Sequence, residues 1–366
     1  MIKVCHITTV HPSKDVRIFH KECTSLAGAG YEVYLLVLNA SSEQANQVDI
    51  IGVNHPFSGR IDRIKNAPHI ALQHALAVNA AIYHFHDPEF LRVALDLKKA
   101  GKKVIYDVHE DVPRQILAKY WIPFVFRKMI SVLFEKYENY VASKLDYIIT
   151  ATPFIRDRFL RINKNTIDIN NYPKLDEFDL DIEPSFNSNQ VCYIGGIEKV
   201  RGIHEMVDAL AFCDAKLALA GKFSSAALEA EVKQKATWNQ VDFVGFLDRQ
   251  AVQALLKKSM VGLVTLHPII NYIDALPVKM FEYMASGIPV IASHFPLWKN
   301  IIEEVSCGIC VDPMNPKAIA EAMKKYIEHP DLARQHGANG KKAILEKYNW
   351  TIEEKKLINI YNQLSI

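Results

Sequence analysis

Short apolar runs, each closed by a polar or glycine-bearing loop and followed by an amphipathic stretch, recur along the whole chain. Lys3–Val10 reads as a strand ending in the loop His11-Pro-Ser-Lys-Asp15. Val16–Ala29 carries Ile18, Cys23 and Leu26 among its apolar positions and stops at Gly30, and Tyr31–Leu38 is the next strand. Strand, helix, strand predicts a parallel sheet. Ala81–His86 and Val104–Asp107 repeat the plan around a helix reaching about Ala100, and Tyr147–Ala151 is a further strand. Residues 171–189 are acidic, proline-bearing and poor in periodicity, which marks a linker.

Beyond it the plan restarts, because Val191-Cys-Tyr-Ile-Gly echoes Val4-Cys-His-Ile-Thr. Strands are predicted at Lys216–Ala220, Val241–Gly245, Val261–Leu266, Val290–Ala292 and Gly308–Asp312. Helices are predicted at Pro316–Ile327, at Asp331–Tyr348 and from Asn349 to Ile366. The expectation is an α/β chain of two tandem doubly wound, Rossmann-like domains, residues 1–170 and 190–348. Residues 349–366 are expected to form a helix that crosses back to the N-terminal domain.

Composition narrows the function classes. A length of 366 residues allows two cores, and 49% apolar with 23% charged residues is an ordinary globular balance. A formal net charge of +2 leaves no basic excess for general nucleic-acid binding. Met1–His6 lacks the apolar core of a signal peptide, and no run approaches the ~20 residues of a membrane span, so a cytoplasmic protein is expected. The six cysteines read as reduced thiols, Cys307 and Cys310 as buried strand thiols rather than a metal or redox pair.

Candidate chemistry concentrates in Asp274–Ser293. Pro277 fits the first position of a helix, with Val278, Phe281 and Ala285 on its inward side and Gly287 and Pro289 beyond its end. Lys279 and Glu282 share a face in the early turns, where backbone N–H groups attract anions. An ammonium with amide donors suits a diphosphate, and a carboxylate suits vicinal hydroxyls; a sugar nucleotide presents both. The alternative is a surface ion pair between the two. The loop Gly195-Gly196-Ile-Glu-Lys199-Val-Arg201-Gly202 reads either as a phosphate loop or as a simple tight turn. Lys14, Asp15, Arg17 and His20 form either an acceptor-binding cluster or a capped helix start. Neighbouring strands end in His86-Asp87 and His109-Glu110 at one edge, where ligands of parallel sheets sit. His84 and His86 lie on one strand face, so a catalytic metal, substrate contacts or satisfied structural histidines are all open. In Lys119–Lys136, Trp121, Phe124, Phe126 and Phe134 alternate with Lys119, Arg127, Lys128 and Lys136, which suits a helix lying in lipid headgroups.

In this order along one chain, Asp15-Val-Arg-Ile-Phe, Tyr106-Asp-Val-His109-Glu110, Tyr193-Ile-Gly195-Gly196 with Arg201-Gly202, and Pro277-Val-Lys-Met-Phe-Glu282 to Ala292 resemble glycosyltransferase family 4. The resemblance implies the GT-B architecture, two Rossmann-like domains facing a central cleft. It also implies retaining transfer of a sugar from a nucleotide-diphosphate donor to a glycan or lipid-linked acceptor, in bacterial surface polysaccharide assembly. Glu282 then resembles the residue that holds the donor ribose, and Arg201 the cation on the diphosphate. His109 resembles the histidine near the transferred sugar. Catalytic roles are expected for His109, Glu282 and Asp274, and donor contacts for Gly195, Gly196, Lys199, Arg201, Val278 and Lys279. The acceptor side is expected at Lys14, Asp15, Arg17, His86, Asp87 and Glu110. Two positions depart from the family pattern: Asp274 replaces its first glutamate, and Gly196 an arginine. No metal or other cofactor is expected, and residues 119–136 are expected to contact the inner membrane. Rival readings are a nucleotide-sugar epimerase of the same architecture, a metal-dependent hydrolase built on His84 and His86, and an inactive sugar-nucleotide binder.

Overall fold

The computed structural model describes residues 1–119, 121–178, 184, 186 and 189–365. The chain divides into two units, Met1–Asn171 with Ile352–Ile366, and Tyr172–Thr351. Residues 179–183, 185, 187 and 188, the middle of the expected linker, lie outside the described residues.

The N-terminal unit holds β1 (Lys3–Thr8), β2 (Glu32–Leu38), β3 (Glu43–Ala45), β4 (Val48–Val53), β5 (Ile82–Phe85), β6 (Lys103–Val108), β7 (Tyr147–Thr150) and β8 (Thr166–Asp168). They form one sheet in the order β3-β4-β2-β1-β5-β6-β7-β8, parallel except for the β3–β4 edge. Alternation along the strands gives the sheet two different faces. Cys5, Ile7, Tyr83, Phe85 and Tyr106 point into the apolar core. His6, whose register partner on β5 is His84, points the other way.

Three features of this unit differ from the sequence expectation. The first helix is π-helical over Ile18–Cys23 and α-helical only over Thr24–Gly28. Helix Arg60–Val78 and the β3–β4 hairpin were not foreseen. That helix buries only Ala67, Pro68, Ala71 and Ala75, a stripe too weakly apolar and too interrupted by proline to stand out. Helix α1 (Phe124–Ala142) buries Ser131, Glu138, Val141 and Ala142 and leaves most of its surface uncovered.

The second unit holds β9 (Gln190–Ile194), β10 (Lys216–Ala220), β11 (Val241–Gly245), β12 (Val261–Val264), β13 (Val290–Ser293) and β14 (Gly308–Val311), all parallel in the order β11-β10-β9-β12-β13-β14. Apolar clusters cover both faces of this sheet. Helices α2 (Arg249–Lys258) and α3 (Val278–Ala285) carry the site residues of this unit. Pro277 stands just before α3 in extended conformation rather than as its first residue. The last helix, α4 (Trp350–Leu364), packs its end into the first unit: Tyr361 hydrogen-bonds to both His6 and His84.

Candidate functional site

In the second unit, β9 runs into Gly195 and Gly196. Gly195 has φ +134°, and a Cβ there would stand 3.0 Å from Lys279 Nζ, so both conformation and space select glycine. At Gly196 a Cβ would lie 3.5 Å from Arg201 Nη1. Gly202, at φ +79°, brings the Lys199–Arg201 turn so close to Thr265 that a Cβ would meet its carbonyl oxygen at 2.1 Å. The glycines thus bring the loop backbone against two cations.

Lys279 sits in the first turn of α3, and Tyr283 anchors that helix by accepting the Ile194 N–H at 3.1 Å. The Lys279 ammonium lies 3.9 Å from the centre of the Tyr193 ring, shut off from solvent, with no hydrogen-bond partner among the described residues. Burial, and then the nearby Arg201 guanidinium, push its pKa down to about 7. A buried, unpaired cation beside a second cation is unfavourable unless an anion is shared between them.

Glu282 does not pair with Lys279. Its carboxylate accepts a hydrogen bond from Arg249 Nη1 at 3.0 Å, and Arg249 also pairs with Glu177. Arg249 opens α2, whose N-terminus is capped by Asp248 accepting from the Ala251 N–H at 2.8 Å. The surface Lys279–Glu282 ion pair is therefore not what the fold builds. Val278 is half-buried at the start of α3, Asp274 closes the short turn Ile270–Ile273, and Lys199 is exposed. Arg249 was missed by the sequence reading, and Tyr193 was quoted there only as part of its motif, without a role. Only tertiary contacts reveal what they do: the Tyr193 ring faces Lys279 and Arg249 meets Glu282.

The N-terminal unit collects a second polar group at the carboxyl ends of β1, β5 and β6. Asp107 on β6 accepts from His109 Nε2 at 2.7 Å, contacts His86 Nδ1 at 3.1 Å, and receives two hydrogen bonds from Arg17 at 2.8 and 3.0 Å. Burial opposes its charge, but Arg17 and His109 outweigh that and hold its carboxylate well below the usual range. With Nε2 engaged by Asp107, Nδ1 is the ring nitrogen of His109 left to meet a substrate. His109 is half-buried, whereas His86 is enclosed and pushed down to about 4 by burial, against the pull of Asp107.

Several expected acceptor residues turn inward. Arg17 is only 4% exposed and is spent on Asp107 and Glu22. Asp15 accepts the N–H groups of Arg17 and Ile18 at 2.8 and 2.9 Å, the capped helix start that was the alternative reading. Asp87 is buried and fastens β1 to β5 through Thr8 Oγ1 at 2.8 Å and the Thr9 N–H at 2.6 Å. Lys14 is exposed and pairs with Glu43 at 3.1 Å, and Glu110 is exposed and accepts from Gln115. His84 is fully buried, so it offers no open coordination position to a hydrolytic substrate.

Residues 16–169 match the family described as Glycosyltransferase Family 4, and residues 177–343 match Glycosyl transferases group 1. The chain is 24% identical over 359 residues to the D-rhamnosyltransferase WbpZ of Pseudomonas aeruginosa, covering 92% of this chain and 90% of that protein. It is 22% identical over 181 residues to the phosphatidyl-myo-inositol mannosyltransferase of Mycobacterium leprae, covering 48% and 46% of the two chains. Among solved structures it resembles sucrose-phosphate synthase from Thermosynechococcus elongatus, with TM-score 0.79, 19% identity and coverage of 100% and 99%. It also resembles Anabaena HepE in complex with UDP and glucose, with TM-score 0.75, 15% identity and coverage of 99% and 100%.

Proposed function

The chain belongs to the GT-B glycosyltransferases that act on nucleotide sugars, and from that premise we propose retaining transfer of a sugar from a nucleotide-diphosphate donor to a glycan or lipid-linked acceptor in bacterial surface polysaccharide assembly. The observation that carries the donor reading is the unpartnered, solvent-shielded Lys279 ammonium beside Arg201, over a glycine loop at the start of α3. Departure of the diphosphate builds negative charge where these fixed donors converge, and they lower the barrier by being preorganised for it. Glu282 holds the donor ribose once its carboxylate is shared with, or released from, Arg249. Asp107 orients His109 so that Nδ1 meets a hydroxyl of the transferred sugar. The leaving phosphate takes the acceptor proton, so no side-chain nucleophile is required. The 24% identity with a bacterial rhamnosyltransferase supports the pathway reading.

Cationic side chains and N–H groups neutralise the diphosphate, so transfer persists with EDTA in the assay; loss restored by Mg²⁺ or Mn²⁺ would contradict this. The cytoplasmic enzyme attaches to the inner membrane through residues 119–136. The test of the donor site is a thermal-shift screen of nucleoside diphosphates and their sugars. A raised midpoint in the wild type, absent in Lys279→Ala and Arg201→Ala, supports the site. An equal shift in all three proteins would remove it.

A further inference from the structure

The polar face of the N-terminal sheet carries a group that transfer leaves without a task. His6 on β1 and His84 on β5 are register partners, His86 follows on the same face, and Glu22 comes up from the π-helical segment. All four are buried, with 0–2% exposure. Each offers a ligand atom, and these atoms lie within 4.8 Å of one another.

The geometry points to a closed metal site here, with His6 Nδ1, His84 Nε2, His86 Nε2 and a Glu22 oxygen as the four ligands of a tetrahedral zinc ion. Three observations carry it. First, His6 Nδ1 and His86 Nε2 stand 3.0 Å apart, and Glu22 Oε2 is 4.0 Å from His6 Nδ1. Zinc ligands at about 2.0–2.1 Å from the ion are about 3.3 Å from each other, so the carboxylate closes the remaining gap by side-chain rotation. Second, the outer nitrogen of every histidine already has the partner that a metal-bound imidazole needs. His6 Nε2 and His84 Nδ1 meet the Tyr361 hydroxyl at 3.0 and 2.9 Å, and His86 Nδ1 meets the Asp107 carboxylate at 3.1 Å. Such contacts fix ring orientation and tautomer, leaving the opposite nitrogen as the ligand. Third, one of the would-be ligand atoms is left unsatisfied by the fold, His84 Nε2. His84 Nε2 is fully buried with no hydrogen bond among the described residues, and the Glu22 carboxylate beside the cluster is met by Arg17 Nε at 3.0 Å. An orphaned buried nitrogen is costly, and an ion held here satisfies it.

Four protein ligands fill zinc's tetrahedral shell, so the ion is structural and takes no part in chemistry. It ties β1, β5 and the Ile18–Cys23 segment together and, through Tyr361, the C-terminal helix. The inference rests on no part of the transfer reading.

The test is metal analysis of the full-length protein, purified without a metal-affinity step from zinc-replete cells. About one equivalent of zinc per chain is expected. His84→Gln loses it, whereas His69→Gln, at an exposed histidine on helix Arg60–Val78, retains it. In the wild type stripped with a chelator and refolded with Co²⁺, the intense visible bands of a tetrahedral ion are expected. That measurement needs no variant to fold. Substoichiometric metal together with a pale octahedral cobalt spectrum would overturn the proposal, as would zinc retained in a folded His84→Gln protein.

Discussion

Lys279 shows how far a single residue can be read and where reading stops. Its place near a helix start is visible in sequence; its enclosure by Tyr193 and Arg201 is not. That enclosure sets a pH dependence. With its pKa lowered to about 7, Lys279 is an ammonium below that pH and loses the proton above it. A bound diphosphate favours the charged form, so donor binding takes up a proton above pH 7. Affinity for a nucleotide-diphosphate sugar, whose diester charge is constant in this range, should fall about tenfold per pH unit above 7. Calorimetric titration across pH checks this, and Lys279→Arg should flatten the slope. Gly195→Ala should weaken donor binding, because alanine is strained at φ +134° and its methyl group, 3.0 Å from Lys279 Nζ, makes that ammonium shift. Turnover in either Lys279→Ala or Arg201→Ala should drop about 10²–10³-fold, measured as sugar transfer. Arg17 went the other way: it was expected on the acceptor side, yet it is buried and paired with Asp107. Residue type alone carries no direction.

At the scale of elements, helix α1 leaves most of its aromatic and basic side chains exposed, with one exception. Phe124 is 83% exposed and Leu133 58%, next to exposed Lys128 and Lys136, while Phe134 packs toward the core. Uncovered apolar side chains beside cations suit an anionic bilayer surface, where the rings enter the headgroup layer and the cations meet lipid phosphates. The protein should float with vesicles containing anionic lipid, and Phe124→Ser with Leu133→Ser should leave it at the bottom of the gradient. Equal flotation of both proteins would assign the attachment elsewhere. Among the described residues no helix is long and apolar enough to cross a membrane.

At the scale of the whole molecule, the C-terminal helix belongs to the first unit. Removing residues 352–366 uncovers His6 and His84 and should destabilise the N-terminal unit; a lower first transition in thermal unfolding is expected. Tyr361→Phe removes one hydroxyl shared by two buried histidines and should cost about 1–3 kcal/mol. What the sequence determined by itself was whatever repeats along the chain: the strand–helix alternation, the two parallel sheets, the glycine loop after β9 and the helix bearing Lys279 and Glu282. Periods of two and of 3.6 residues are local properties, so neighbouring residues suffice to state them. Only the tertiary structure decided who meets whom: Glu282 with Arg249, Arg17 with Asp107, and His84 with Tyr361, 277 positions away. Those pairings arise when sheet order and helix packing bring distant side chains onto one face, and no local pattern encodes that order.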